Sequence, residues 1–184
     1  MNFSFIKNSQ LNDTQRLKVA RLVYSAVPEF YKRFGVSITT IAPHIAKLIG
    51  KKNTELEHGY TLLSNKSVLG AYNAYPAKEL KMRQMFGLLA LTKSLDKKLP
   101  SFTHELTEPP DDSYYLARIA VDESVLRQGV GEKLLNHFIA ETELPLLSLH
   151  VHITNKTAIA FYHRHGFITQ DPDNQQFYLL TNKR

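Results

Sequence analysis

Hydrophobic and polar positions change period several times along the chain, and each change predicts an element. Phe3 to Lys7 alternates like a short edge strand. Asp13 or Thr14 is the expected cap of a helix that keeps Leu17, Ala20, Val23, Tyr24 and Val27 on one face and stops at Pro28. A loop, PEFYKRFG, and a second short helix within Thr40 to Gly50 follow. Phe30, Tyr31 and Phe34 either pack onto the sheet or form a substrate lip. The β-rich runs GYTLLS and SVLGAYNAY flank Asn65-Lys66, which predicts a hairpin between Gly59 and Tyr75.

From Lys78 to Leu95, Met82, Met85, Phe86 and Leu89 recur at helical spacing and read as the core-facing stripe of an inserted helix. Residues 96–113 are rich in prolines and charges and predict a surface loop. Tyr114 to Val121 is almost continuously apolar, as a central strand covered on both faces would be. The next helix buries Val130, Leu134, Leu135, Phe138 and Ile139. Leu146 to Ile153 then sends Leu147, Leu149, Val151 and Ile153 to one face and Ser148, His150 and His152 to the other. Asn155 is placed to cap a helix bearing Ala158, Ile159, Phe161 and Tyr162, and Gly166 to end it. Phe167 to Gln170 and Gln175 to Leu180 predict a closing hairpin across PDN, with Thr181 to Arg184 frayed. The expected fold class is α/β: one domain over residues 1–184, a mixed central sheet with helices on both faces, and an extra helix between the third and fourth strands.

Composition narrows the chemistry. At 184 residues, 43% of them apolar and 22% charged, the chain can bury a sizeable core. It has no cysteine, hence no disulfide, thiolate metal site or cysteine nucleophile. A polar N-terminus and the lack of a long apolar run predict a cytoplasmic protein with no membrane partner. The net charge of +6 suits nucleic acid or a polyanionic cofactor, but the basic residues are scattered, so no nucleic-acid partner is expected. A homodimer stays open. His150 and His152 lack a third ligand at metal spacing, so no metal is expected.

The most informative stretch is Leu126 to Leu135, LRQGVGEKLL. Gly129 and Gly131 follow an apolar strand and open an amphipathic helix, where a backbone without β-carbons and unpaired helix amides can hold a phosphate. Taken with LSLHVHITNKTAIAFYHRHGF downstream, YYLARIAVDESVLRQGVGEKLL resembles the Gcn5-related N-acetyltransferase (GNAT) superfamily. The resemblance is close over Tyr114 to Leu180; residues 1–75 match only in element order.

The resemblance implies acetyl-coenzyme A as co-substrate, no metal, and acetyl transfer to a primary amine on a small molecule or peptide, in a ternary complex without an acyl-enzyme. A catalytically weak acyl-CoA-binding sensor or interaction module of the same fold is the alternative. The family turn reads Q/R-x-x-G-x-G/A, and Leu126 stands where Gln or Arg is usual. Cofactor binding is therefore expected from Arg127, Gln128, Gly129, Val130, Gly131 and Glu132, with Arg127 offsetting the missing polar side chain. Ile119 and Val121 match the strand residues whose amides, freed by a bulge, meet the pantetheine and thioester. Asn155, Ala158 and Tyr162 match the cofactor-facing helix, Tyr162 as the acid that protonates the departing thiolate. His150 matches the position of a glutamate base in members that acetylate protein N-termini, whereas Tyr115 replaces the glutamate of histone-type members. Glu29, Asp111, Asp112 and Glu123 are expected near the acceptor mouth.

Overall fold

The computed structural model describes residues 3–100, 106–173 and 176–183. Its thirteen main elements are β1 (Phe3–Lys7), α1 (Asp13–Ala26), α2 (Pro28–Lys32), α3 (Ile38–Ala46), β2 (Gly59–Ser64), β3 (Ser67–Pro76), α4 (Leu80–Leu95), β4 (Ser113–Val121), α5 (Val130–Glu141), β5 (Leu146–His152), α6 (Lys156–Arg164), β6 (Ile168–Thr169) and β7 (Phe177–Lys183). They build one mixed seven-stranded sheet in the order β1-β2-β3-β4-β5-β7-β6. Every neighbouring pair is antiparallel except β4 and β5.

Local chemistry explains most boundaries. Asn65 and Lys66 both take positive φ, 48° and 70°, as a tight hairpin turn between β2 and β3 demands. Helix α1 is capped by Asn12, not Asp13 or Thr14: the Asn12 side chain accepts from the Gln15 amide, and the Gln15 side chain accepts in return from the Asn12 amide. Pro28 ends α1 but also starts α2 at its first position, where a missing N–H costs nothing, so the expected loop is a short helix. Tyr31 and Phe34 are buried there, which settles them as packing residues.

Two apolar layers cover the sheet. One joins Val19, Ala20, Ile41, Ile45, Leu63 and Leu91; the other joins Leu134, Leu135, Phe138, Leu147, Leu149 and Tyr162. The expected stripe of α5 is buried, with Ile139 at its margin. Two expectations are overturned. Thr181 to Lys183 do not fray but extend β7 against Ser148, Leu147 and Leu146 of β5. Helix α4 lies the other way round: Met82, Met85, Phe86 and Leu89 are 40–52% exposed, while Leu80, Arg83, Leu91 and Thr92 face inward. Arg83 turns the helix, because its guanidinium reaches both Glu57 (2.7 Å) and Glu79 (2.6 Å) beneath it. Such a buried, fully paired charge holds a helix face inward without being apolar.

Candidate active site

The site begins where β4 and β5 part. They pair only from Ser113 to Leu116 and from Leu146 to Leu149, yet β4 runs on to Val121 and β5 to His152. Among the described residues, the β5-facing edge of β4 from Ala117 onward therefore has no strand beside it, and its backbone groups are available to a ligand entering the cleft. On its other side β4 is in register with β3 except at one slip: Asn73 pairs with Arg118 and Ala74 with Leu116, leaving Ala117 as an extra residue. This is the bulge that the resemblance implies, just before Ile119 and Val121.

At the open end of the cleft the chain makes the glycine turn. Gly129 takes φ 75° as the residue before α5, and Arg127 also takes a left-handed φ of 61°. Alternating backbone of this kind turns amides toward a common point. The first backbone amide of α5 bonded back into the helix is that of Lys133, to Gly129; those of Val130, Gly131 and Glu132 precede it, unpaired by helix geometry. Residues Leu126 to Gly129 are exposed. A Cβ on Gly131 would meet Val121 and Phe161 only at ordinary contact distances of 3.7 and 3.9 Å, so internal packing does not require this glycine. Asn155 caps α6 by accepting from the Ala158 amide at 3.1 Å. The cradle, the end of β4 and α6 thus converge through Gly131, Val121 and Phe161. The residues present fit a pyrophosphate and an extended thioester arm: unpaired helix amides at one end, an unpaired strand edge leading inward.

Tyr162 lies in the core beneath α6 with Phe161 and Phe167, 7% exposed. Burial pushes its phenol well above the usual value, so it stays protonated at neutral pH. His150 occupies the polar face of β5 as expected. Its Nε2 is 2.8 Å from the Thr107 carbonyl, which can only accept, so Nε2 carries the proton. Nδ1 is then the lone-pair nitrogen, and the Tyr115 hydroxyl donates to it at 3.1 Å. Burial holds the imidazole below its ordinary value, against the opposing pull of the Thr107 bond and of Asp171. It is neutral at pH 7.

Sequence reasoning missed what surrounds Tyr115. Glu55 accepts from the Tyr75 hydroxyl at 3.3 Å and pairs with Arg118 at 3.3 Å, and Tyr75 packs against Tyr115 with ring centroids 5.7 Å apart. Arg118 Nε is the single buried side-chain polar atom without a hydrogen-bond partner among the described residues. Burial opposes the charge of Arg118, but Glu55 and the surrounding tyrosines outweigh it. No spacing rule joins positions 55, 75, 115 and 118; the sheet and the loop before β2 do.

The expected acidic mouth divides. Glu29 on α2 is exposed, bonds Lys32 and interacts electrostatically with His152 at the open end of β5. Glu123 is exposed just before the glycine turn. Asp111 and Asp112 instead precede Ser113, at the closed end of the β4–β5 pair, so they do not face the mouth. Among the described residues no three His, Cys, Asp or Glu side chains are grouped to hold a metal. A cavity of about 200 Å³ lined by Tyr60, Tyr72, Tyr114 and Glu141 lies elsewhere and shares no residue with the cleft.

Comparisons with known proteins agree with this fold. Residues 101–169 match the family described as Acetyltransferase (GNAT) domain. An acetyltransferase structure aligns with TM-score 0.76 at 20% identity, over 97% of this chain and 98% of its own. An N-acetyltransferase from Staphylococcus aureus Mu50 aligns with TM-score 0.74 at 21% identity, over 96% and 99%. The PaiA N-acetyltransferase from Thermoplasma acidophilum, a complex with coenzyme A, aligns with TM-score 0.56 at 14% identity, over all of both chains. No curated protein matches the sequence at a significant level. At these identities the structural likenesses establish the fold, and residues 101–169 are similar to the GNAT acetyltransferase domain.

Proposed function

We propose that the protein transfers the acetyl group of acetyl-coenzyme A to a primary amine by direct attack in a ternary complex. The observation that carries this reading is the cleft itself: a strand edge left unpaired after a bulge, leading from a glycine-turned helix N-terminus toward a buried phenol and a neutral imidazole. The coenzyme A in the Thermoplasma acidophilum relative supports the choice of acyl carrier.

Each group has a chemical task. The amides of Val130, Gly131 and Glu132, with the Arg127 side chain, hold the pyrophosphate. The backbone of Ile119 and Val121 orients the thioester and polarises its carbonyl. An amine is nucleophilic only when neutral, so it must lose a proton before or as it attacks. His150 is the base, and its lone pair is reached through the Tyr115 hydroxyl, which takes the amine proton as it gives its own to Nδ1. The new C–N bond forms as the C–S bond breaks, and Tyr162 protonates the departing thiolate. With no cysteine in the chain, no acyl-cysteine intermediate forms.

Initial rates measured while varying acetyl-coenzyme A and amine together test the order of events. Intersecting lines are expected; parallel lines, the pattern of an acyl-enzyme, would rule out direct attack.

A further inference from the structure

Helix α4 presents a surface that acetyl transfer does not use. Met82, Met85, Phe86 and Leu89 are 40, 52, 48 and 47% exposed, and Leu99 just beyond the helix is 51% exposed. At about 100° per residue the four helix residues fall within an arc of roughly 100°, a continuous ridge along α4. The ridge is framed by cations. Between positions 78 and 98 there are six Lys or Arg and two carboxylates, a balance of +4 in a chain of +6. Arg83 is buried and paired and Lys81 is paired with Glu108, whereas Lys78, Lys93, Lys97 and Lys98 are exposed. Lys93 lies on the line of the ridge near its C-terminal end, and Lys78 lies in the turn just before its N-terminal end.

We propose that this face of α4 docks on an anionic lipid surface, with Met85, Phe86 and Leu89 entering the headgroup–acyl boundary and the lysines meeting the lipid phosphates. An interfacial helix needs an apolar strip bordered by long cationic side chains that can extend outward. It needs no spanning segment, and no described helix is long and apolar enough to cross a membrane. The expectation of no membrane partner rests on a polar N-terminus and the lack of a spanning run, neither of which bears on an interfacial helix. A second copy of the chain fits the ridge less well. A two-fold axis across antiparallel α4 helices would bring Lys78 against Lys93, and one along parallel helices would set each lysine against itself. Four half-exposed side chains offer on the order of 400 Å² of apolar surface, about half of the ~800 Å² per partner of a stable interface. The small cavity beside α4 opens on its inner side, at Gly87, Leu88 and Leu91, away from the ridge.

The test is co-sedimentation of the full chain with phosphatidylcholine vesicles, with and without about 30% phosphatidylglycerol. Binding to the anionic vesicles alone is expected. It should fall about tenfold in Phe86→Ser/Leu89→Ser and in Lys78→Glu/Lys93→Glu, with melting temperature unchanged. Equal binding to neutral vesicles, no binding to either, or binding indifferent to both double substitutions would overturn the proposal. So would a dimer in sedimentation equilibrium that the first double substitution dissolves while lipid is not bound.

Discussion

The Tyr115 hydroxyl donates to Nδ1 of His150 at 3.1 Å, while the opposite ring nitrogen of His150 donates to the Thr107 carbonyl. Three segments far apart in sequence thereby fix one tautomer, and the imidazole offers its lone pair only in the direction of Tyr115.

Replacing Tyr115 by Phe removes the donor that favours neutral His150. The acid limb of kcat/KM should move to higher pH, and the melting temperature should fall by the equivalent of ~1 kcal/mol for a lost buried hydrogen bond. A pH profile identical to wild type would separate Tyr115 from the base.

The charge state of His150 links activity and stability. Its folded value lies below the unfolded 6.5, so the unfolded chain binds the extra proton between the two. The contribution of this group to stability is complete above about pH 6.5 and is lost as pH falls through the folded value. His150→Gln should lose this pH dependence in thermal melts and lower kcat about 100-fold or more. Melts of the two proteins between pH 5 and 8 check the first, and steady-state rates the second.

The glycine turn separates folding from binding. Gly131→Ala fits the empty chain at contact distances of 3.7 and 3.9 Å, so its melting temperature should match wild type while coenzyme A affinity drops. Gly129→Ala, at φ 75°, should cost about 1–2 kcal/mol of stability. Arg127→Ala should weaken coenzyme A binding about tenfold, a charge-assisted contact of ~1.5 kcal/mol. Thermal melts check the two glycine variants and calorimetric titration the coenzyme A affinities; unchanged affinity in both Gly131→Ala and Arg127→Ala would move the pyrophosphate elsewhere.

Removing one partner of the Glu55–Arg118 pair leaves a buried guanidinium short of its counter-charge, with side chains only 11% exposed on both sides. Glu55→Gln should destabilise by about 3 kcal/mol. A denaturation midpoint within error of wild type would show the pair to be idle.

Legibility in the sequence followed the range of the interactions. Asn65-Lys66, Gly129, Asn155 and Gly166 were readable because their turns and caps are decided within a few residues. The cap of α1 fell one residue from its expected place because Asn12, Asp13 and Thr14 all have the right side-chain chemistry, and only the reciprocal bond to Gln15 separates them. The facing of α4 was misread because the stripe rule assigns apolar residues to the core, and Arg83, buried between Glu57 and Glu79, reverses the helix. At the site, the resemblance supplied positions for Tyr162, His150 and the glycines. The Thr107–His150–Tyr115 chain and the Glu55 cluster had no local signal, since strand order and the two loops that carry Thr107 and Glu55 bring them together.

Amine-dependent release of coenzyme A thiol, followed across polyamines, amino acids, aminoglycosides and N-terminal peptides with wild type and Tyr162→Phe, bears most directly on acetyl transfer at this cleft. At least one amine should give acetyl-coenzyme A-dependent release. Turnover with that amine should fall about 100-fold in Tyr162→Phe, with little change in acetyl-coenzyme A affinity. Tight acetyl-coenzyme A binding without thiol release on any amine would make the protein a sensor, and full turnover in Tyr162→Phe would contradict the role given to the buried phenol.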